Sequence, residues 1–343
     1  MSPWPMYTGT EEPHDGMSQL PGPPPWRAFD GGPALPPPSQ QDDSASSDRE
    51  HRANTYQATR ESVELVNAAL VLRRPLLITG PPGSGKSSLP YAVARELKLG
   101  PVLRWNISSR TTLQDGLYQY DPMTRLYAAS KEAGRKRPEE ASEGSSAADT
   151  IEDHLRLGPL GTALLPYEKP RVLLIDEIDK SDLDLPNDLL NVLEEGQYEI
   201  PELVRAARHT PKAQLMVSDS EDRADVDRGR VRCRAFPFIV LTSNGEREFP
   251  PAFLRRCVPL HLRRPEPDHL EAIVRAHLGE LDEETKRMVA TFLERSSTGE
   301  LATDQLLNAI YLSRVPGLEA DSREALAASL MTHLGPAVQF HDY

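Results

Sequence analysis

Residues 80–88 read Gly-Pro-Pro-Gly-Ser-Gly-Lys-Ser-Ser and directly follow the apolar run 75–79. Gly80, Gly83 and Gly85 carry no Cβ, so consecutive backbone N–H groups can turn inward around phosphate oxygens. In such a loop Pro81, Pro82, Ser84 and Ser88 complete the cradle, Lys86 places a point charge on the β- and γ-phosphates, and the Ser87 hydroxyl suits Mg²⁺. The residues after the loop, 89–97, have helical character, which would set the phosphates at a helix N-terminus, where the dipole favours negative charge. A nucleoside triphosphate is therefore the expected ligand. Glycine-rich turns of this composition also occur on unrelated surfaces, and the strand before and the helix after this one separate it from them.

A second apolar run, 171–175, ends in Asp176-Glu177. A buried strand that ends in two carboxylates delivers them to the carboxyl edge of a sheet, where open α/β sheets bind their ligands. Asp176 is placed to hold Mg²⁺ and Glu177 to polarise a water towards the γ-phosphate. By itself such a pair also serves as a helix cap; the upstream loop selects the chemical role. A third run ends Leu241-Thr242-Ser243-Asn244, and the Asn244 amide can orient the same water. Arg255-Arg256 close a short segment after Pro250-Pro251. They either offset a helix dipole or reach a γ-phosphate on a neighbouring subunit as an arginine finger.

Five short apolar runs (75–79, 101–107, 171–175, 236–242 and 258–262) are separated by helical or irregular stretches, the pattern of a covered parallel sheet. The expected fold is α/β, a P-loop NTPase with a doubly wound parallel sheet. After residue 264 the strands stop and four helical segments (267–278, 282–294, 303–314 and 322–333) predict a small C-terminal helical lid. Residues 1–50 hold 11 of the 32 prolines, without apolar periodicity, and are expected to form a disordered arm. Trp4 and Trp26 stand out there as candidate partner motifs or as incidental residues of a solvated tail. The core is placed at 51–264, with mobile inserts near 131–150 and 217–232, and the lid at 265–343. The Arg135-Lys136-Arg137 cluster in the first insert reads as a solvated loop before it reads as an anion contact.

The chain offers no apolar run long enough to span a membrane and no basic-then-apolar leader. Its 343 residues carry a net charge of −13, and the two cysteines, Cys233 and Cys257, lack metal or disulfide spacing. These features point to the cytoplasm, argue against a membrane partner and disfavour broad nucleic-acid affinity.

Phosphate loop, Asp-Glu strand, Asn strand, paired arginines and helical lid follow the order of the AAA+ ATPases, and within them the chain resembles the MoxR group. The narrower likeness rests on Leu117–Tyr127, on Gly158-Pro159-Leu160 and on Leu193–Ile200. The resemblance covers about residues 55–335. It implies ATP and Mg²⁺ as cofactors, Glu177 as catalytic base, Asn244 as polar sensor, and Arg256, with Arg255 next, as trans finger. It also implies Asn106 as a residue restraining the glutamate, a ring of self-associated chains with a hexamer as the expected form, and a protein client such as a von Willebrand A-type partner. A nucleic-acid motor or loader and a slow ATP-dependent switch are the alternatives. One departure stands out: no arginine occupies the second-sensor neighbourhood, Leu301 to Leu307, and Arg314 lies about three turns beyond it.

Overall fold

The computed structural model of the chain describes residues 4–10, 12–36, 47–135, 150–296, 301–315, 325–327 and 329–331. Among the described residues eleven strands run in chain order: β1 (Leu76–Thr79), β2 (Leu103–Asn106), β3 (Tyr118–Tyr120), β4 (Leu155–Leu157), β5 (Val172–Asp176), β6 (Gln197–Glu199), β7 (Lys212–Met216), β8 (Arg223–Asp227), β9 (Arg230–Arg232), β10 (Phe238–Ser243) and β11 (Val258–His261). The five expected from apolar runs make one parallel sheet in the order β11-β1-β10-β5-β2. Its register brings Thr79 beside Ser243 and His261, and Asn106 beside Asp176, so the chemistry-bearing positions share one carboxyl edge.

Both faces of this sheet are covered, which explains why its strands read as unbroken apolar runs. Leu77, Leu103, Leu173, Ile175 and Leu241 join one core cluster, while Leu76, Ile78, Val172, Leu174 and Val240 join another on the opposite face. The side-chain period of two thus feeds two separate cores. Each fully buried Leu or Ile contributes about 1.5–3 kcal/mol relative to exposure. The second cluster is closed by the helices Arg60–Leu72 and Leu89–Glu96. The first is closed by the helix Leu185–Glu195 and by a second sheet, ordered β3-β4-β7-β8-β9-β6.

That second sheet corrects the expectation of a mobile insert at 217–232. Residues 223–232 form β8 and β9, joined through Asp227-Arg228-Gly229-Arg230 and paired with β7 and β6. Ala224, Val226 and Val231 alternate inward between exposed charged residues. The strand period was present, but the charged outer face hid it. Of the other insert, 136–149 lie outside the described residues, with Lys136 and Arg137 among them. Residues up to Arg135 continue a helix from Pro122.

The disordered arm is also corrected over 4–10 and 12–36, which pack along the body. Met6 and Tyr7 are buried in the second core cluster. The Asn67 amide accepts from the Met6 and Tyr7 N–H groups at 2.8 and 2.9 Å and donates to the Tyr7 carbonyl at 2.7 Å. Buried Glu96 accepts from Thr8 N and Oγ1, from Thr10 N and from His14 Nε2. Further on, Gly31 N–H donates to the Cys233 carbonyl, and a Cβ at Gly31 would lie 1.9 Å from the Arg232 carbonyl oxygen. Proline-rich chain of this kind needs few partners for its own N–H groups. A few widely spaced anchors therefore suffice to hold it, and averaging composition over fifty residues conceals them.

The helices Pro267–Leu278, Glu283–Ser296 and Thr303–Ser313 share a core of their own around Leu270, Val274, Phe292, Leu306 and Ile310. Of the fourth expected helix, residues 325–327 and 329–331 are described and Met331 joins this core.

Candidate functional site

The phosphate loop leaves β1 with Gly80, Gly83 and Gly85 at φ +153°, +73° and +84°. These are backbone states that L side chains rarely adopt, so the three glycines are required by the loop's shape. Lys86 is buried and its Nζ donates to the Gly80 and Pro81 carbonyls, each at 2.8 Å. Burial lowers its pKa, opposed by the nearby carboxylates of Asp179, Asp176 and Glu177.

Opposite the loop, Asp176 is held from its two neighbouring strands, β2 and β10, and from the loop itself. Its Oδ1 accepts from Ser87 Oγ and from Thr242 Oγ1, both at 2.7 Å, and its Oδ2 accepts from Arg104 Nη2 at 3.0 Å. Thr242 Oγ1 also accepts the Glu177 N–H at 2.9 Å. Glu177 itself sits at φ +61°, turning its side chain away from the strand direction, and its Oε2 accepts from Lys180 Nζ at 2.8 Å. The Asn244 N–H donates to Asp179 Oδ2 at 2.9 Å, which ties the end of β10 to the turn after β5.

A cavity of about 670 Å³ joins these groups and is lined by Ser84–Ser88, Asp176, Glu177, Thr242 and Asn244. Tyr56 and Gln57 also line it, as do His269, Ile273 and His277 of the helix Pro267–Leu278. The donor set fits Mg-ATP: a buried lysine, inward-turned glycines, and a hydroxyl and carboxylate 2.7 Å apart. Among the described residues no group of three His, Cys, Asp or Glu could hold a metal alone, so a cation on Ser87 and Asp176 would need phosphate and water oxygens to complete its shell.

The structure assembles Pro82–Ser88, Asp176, Glu177 and Asn244 around one cavity, with the Gly80 and Pro81 carbonyls behind it holding Lys86, and leaves three expected residues elsewhere. Asn106 pairs in register with Asp176, but its side chain is exposed and lines a different groove with Ser108, Arg110 and Arg156. Lys180, not Asn106, holds Glu177. Arg255 and Arg256 do not line the cavity. Arg256 is bound by Glu194 through Nε, and through Nη2 at 3.0 Å, and it donates to the Ala252 carbonyl. Arg255 is exposed and its side chain makes no hydrogen bond or ion pair among the described residues. Arg314 caps carbonyls inside the lid, at Leu278 and Glu280, and likewise does not reach the cavity.

Sequence reasoning missed Thr242, Arg104, Lys180, Arg263 and Arg264. The last two line the cavity where β11 passes into the lid. Thr242 had a readable signal, a hydroxyl closing an otherwise apolar buried run. We expect Thr242→Val, equal in shape, to leave the Glu177 N–H and one Asp176 oxygen short of a partner and to cost about 1–3 kcal/mol in urea unfolding. Wild-type stability in that variant would mean that water replaces the hydroxyl.

The lid meets the helix Ser47–Thr55 through His51 and His277, whose Nε2 and Nδ1 lie 2.9 Å apart. Burial and then His51 lower the His277 pKa below its usual value of 6.5. A histidine depressed in the folded state binds protons more readily when unfolded, so its contribution is full above about pH 6.5 and is lost as pH falls below that value. We expect protection against hydrogen exchange in 267–278, measured relative to the intrinsic rate at each pH, to fall on acidification through that window and His277→Gln to flatten the response.

The chain belongs to the AAA domain family, dynein-related subfamily, whose sequence model matches residues 75–257, more than half of its length. It is accordingly a nucleotide-binding ATPase of the AAA+ class, with the α/β P-loop NTPase fold. No match was found among the curated proteins. Among solved structures it is similar to NtrX from Brucella abortus in complex with ADP, at 16% identity and a TM-score of 0.41. That alignment covers 83% of this chain, which spans 58% of the NtrX chain. Among the described residues no helix is long and apolar enough to cross a membrane.

Proposed function

We propose that the chain is a cytoplasmic MoxR-like ATPase that hydrolyses Mg-ATP, closes into a ring, with a hexamer as the expected form, and remodels or activates a protein partner. A von Willebrand A-type protein is the first partner to test. In this reading residues 51–264 are the ATPase core and 265–343 the lid. Gly80–Ser88 bind the phosphates, Ser87 and Asp176 hold Mg²⁺, Glu177 removes a proton from the attacking water, and Asn244 orients it. Mg²⁺ would supply the charge neutralisation that phosphoryl transfer requires.

The observation that carries the reading is the position of Arg255 and Arg256 outside their own chain's cavity. Either arginine could then reach a nucleotide only in another copy, in addition to the Arg263 and Arg264 that each chain brings to its own cavity. Light scattering of Glu177→Gln in ATP tests this: assembly into rings is expected, and a strict monomer with full wild-type turnover would overturn it. A slow switch is the second reading, favoured by the Lys180–Glu177 pair and by the missing second-sensor arginine. Phosphate release equal in wild type and Glu177→Gln would select the switch.

A further inference from the structure

Arg27 lies in the proline-rich N-terminal segment yet is only 8% exposed. Its guanidinium stacks 4.6 Å from the Phe236 ring centre and 5.4 Å from that of Phe29. It donates to the Arg73 carbonyl through Nε and Nη2, to the Leu193 carbonyl through Nη2 at 2.9 Å and to the Glu194 carbonyl through Nη1 at 3.0 Å. Those carbonyls end two helices, Arg60–Leu72 and Leu185–Glu195, where unsatisfied acceptors and the dipole both favour a cation. A planar fork can serve all three carbonyls at once, which an ammonium cannot do in the same way.

The last turn of Leu185–Glu195 is also the turn whose Glu194 carboxylate grips Arg256. Arg27, Glu194 and Arg256 line one cavity, and the Glu194 carboxyl is held below its usual range by its hydrogen bond to Arg256, with the charges of Arg27 and Arg255 adding to the effect. The N-terminal segment, the helix end and the arginine pair are therefore mechanically continuous.

We propose that Arg27 is a positioning residue for the arginine pair: it fixes the helix end that anchors Arg256 through Glu194, so that the adjacent Arg255 projects as the cation offered to a neighbouring copy's nucleotide. This rests on the trans-acting reading above. Arg256 is the tether and Arg255 the contact, and the segment 4–36 belongs to the catalytic apparatus of the next subunit. The N-terminal segment thereby gains control over hydrolysis without touching nucleotide.

Mixed rings test the proposal. The acceptor chain carries Arg255→Ala with Arg256→Ala and keeps its own cavity intact; the donor chain carries Glu177→Gln and keeps its arginines. Phosphate release should appear only on mixing, and its absence would refute the trans reading itself. With that control working, adding Arg27→Ala to the donor should cut release by about 10-fold or more, because small misplacements of a catalytic group are costly. Glu194→Gln in the donor should do the same while leaving every Arg27 bond to backbone in place, and it decides the matter if the Arg27 variant fails to fold. Arg255→Ala in the donor should abolish release. Fluorescent-nucleotide affinity and light scattering of each donor should stay at wild-type values, which a general loss of structure would not allow. Donors carrying Arg27→Ala or Glu194→Gln that complement as well as the parent would overturn the inference.

Discussion

Glu177→Gln is expected to lower steady-state phosphate release by about 10²–10⁴-fold while nucleotide affinity stays the same. The argument is geometric. The Glu177 carboxylate is the second of two acids at the end of β5, and the first is fully engaged by Ser87, Thr242 and Arg104. Among the described residues Glu177 has one side-chain partner, Lys180, and both side chains are half-exposed, so its carboxylate can leave that pair at little cost. The amide of glutamine keeps the shape and the backbone bond to Thr242 but cannot take a proton from water. Binding should survive, since the loop and Lys86 are untouched. Rapid turnover retained in the variant would mean that another group activates the water, equally slow release in both proteins would select the switch, and a lost affinity would mean that the side chain supports the loop.

The second large effect concerns stability. Asn67→Ala is expected to cost about 2–5 kcal/mol in chemical denaturation, because three buried backbone groups, Met6 N–H, Tyr7 N–H and Tyr7 C=O, lose their partner together. The Val63 carbonyl loses a donor as well. The variant should also expose the N-terminal segment to limited proteolysis ahead of global unfolding, since Glu96 and Arg27 anchor it at separate points. An unchanged midpoint with an intact segment would show that water enters and satisfies those groups.

Much of the site was legible because its chemistry is written in local order. A glycine-rich loop after an apolar strand, an acidic pair after another and Asn244 after a third each fix a place at a sheet edge, and the parallel register brings Asp176 and the loop together. What escaped was non-local or masked by charge. The strands β8 and β9 carry arginines and aspartates on every outward position, so the inward Ala224, Val226 and Val231 did not read as a core. Asn106 ends the right strand, yet its side chain belongs to another groove; register alone gives the neighbour, not the direction of the side chain. Lys180 and Arg104 became visible only when the turn that carries the one and the strand β2 that carries the other were folded against Glu177 and Asp176. The buried roles of Met6, Tyr7 and Arg27 depend on partners far along the chain, such as Asn67, Arg73 and Glu194.

The first turn of the helix Thr303–Ser313 rests directly on the phosphate loop. A Cβ at Gly83 would lie 2.7 Å from the Thr303 nitrogen and 3.0 Å from the Ala302 Cβ. Loop and lid therefore share a bearing surface with no slack in it. With no arginine at 301–307, any swelling of the loop would be a push on the C-terminal helices. The signal in such a device is displacement rather than charge, and it would be as insensitive to salt as an electrostatic sensor is sensitive.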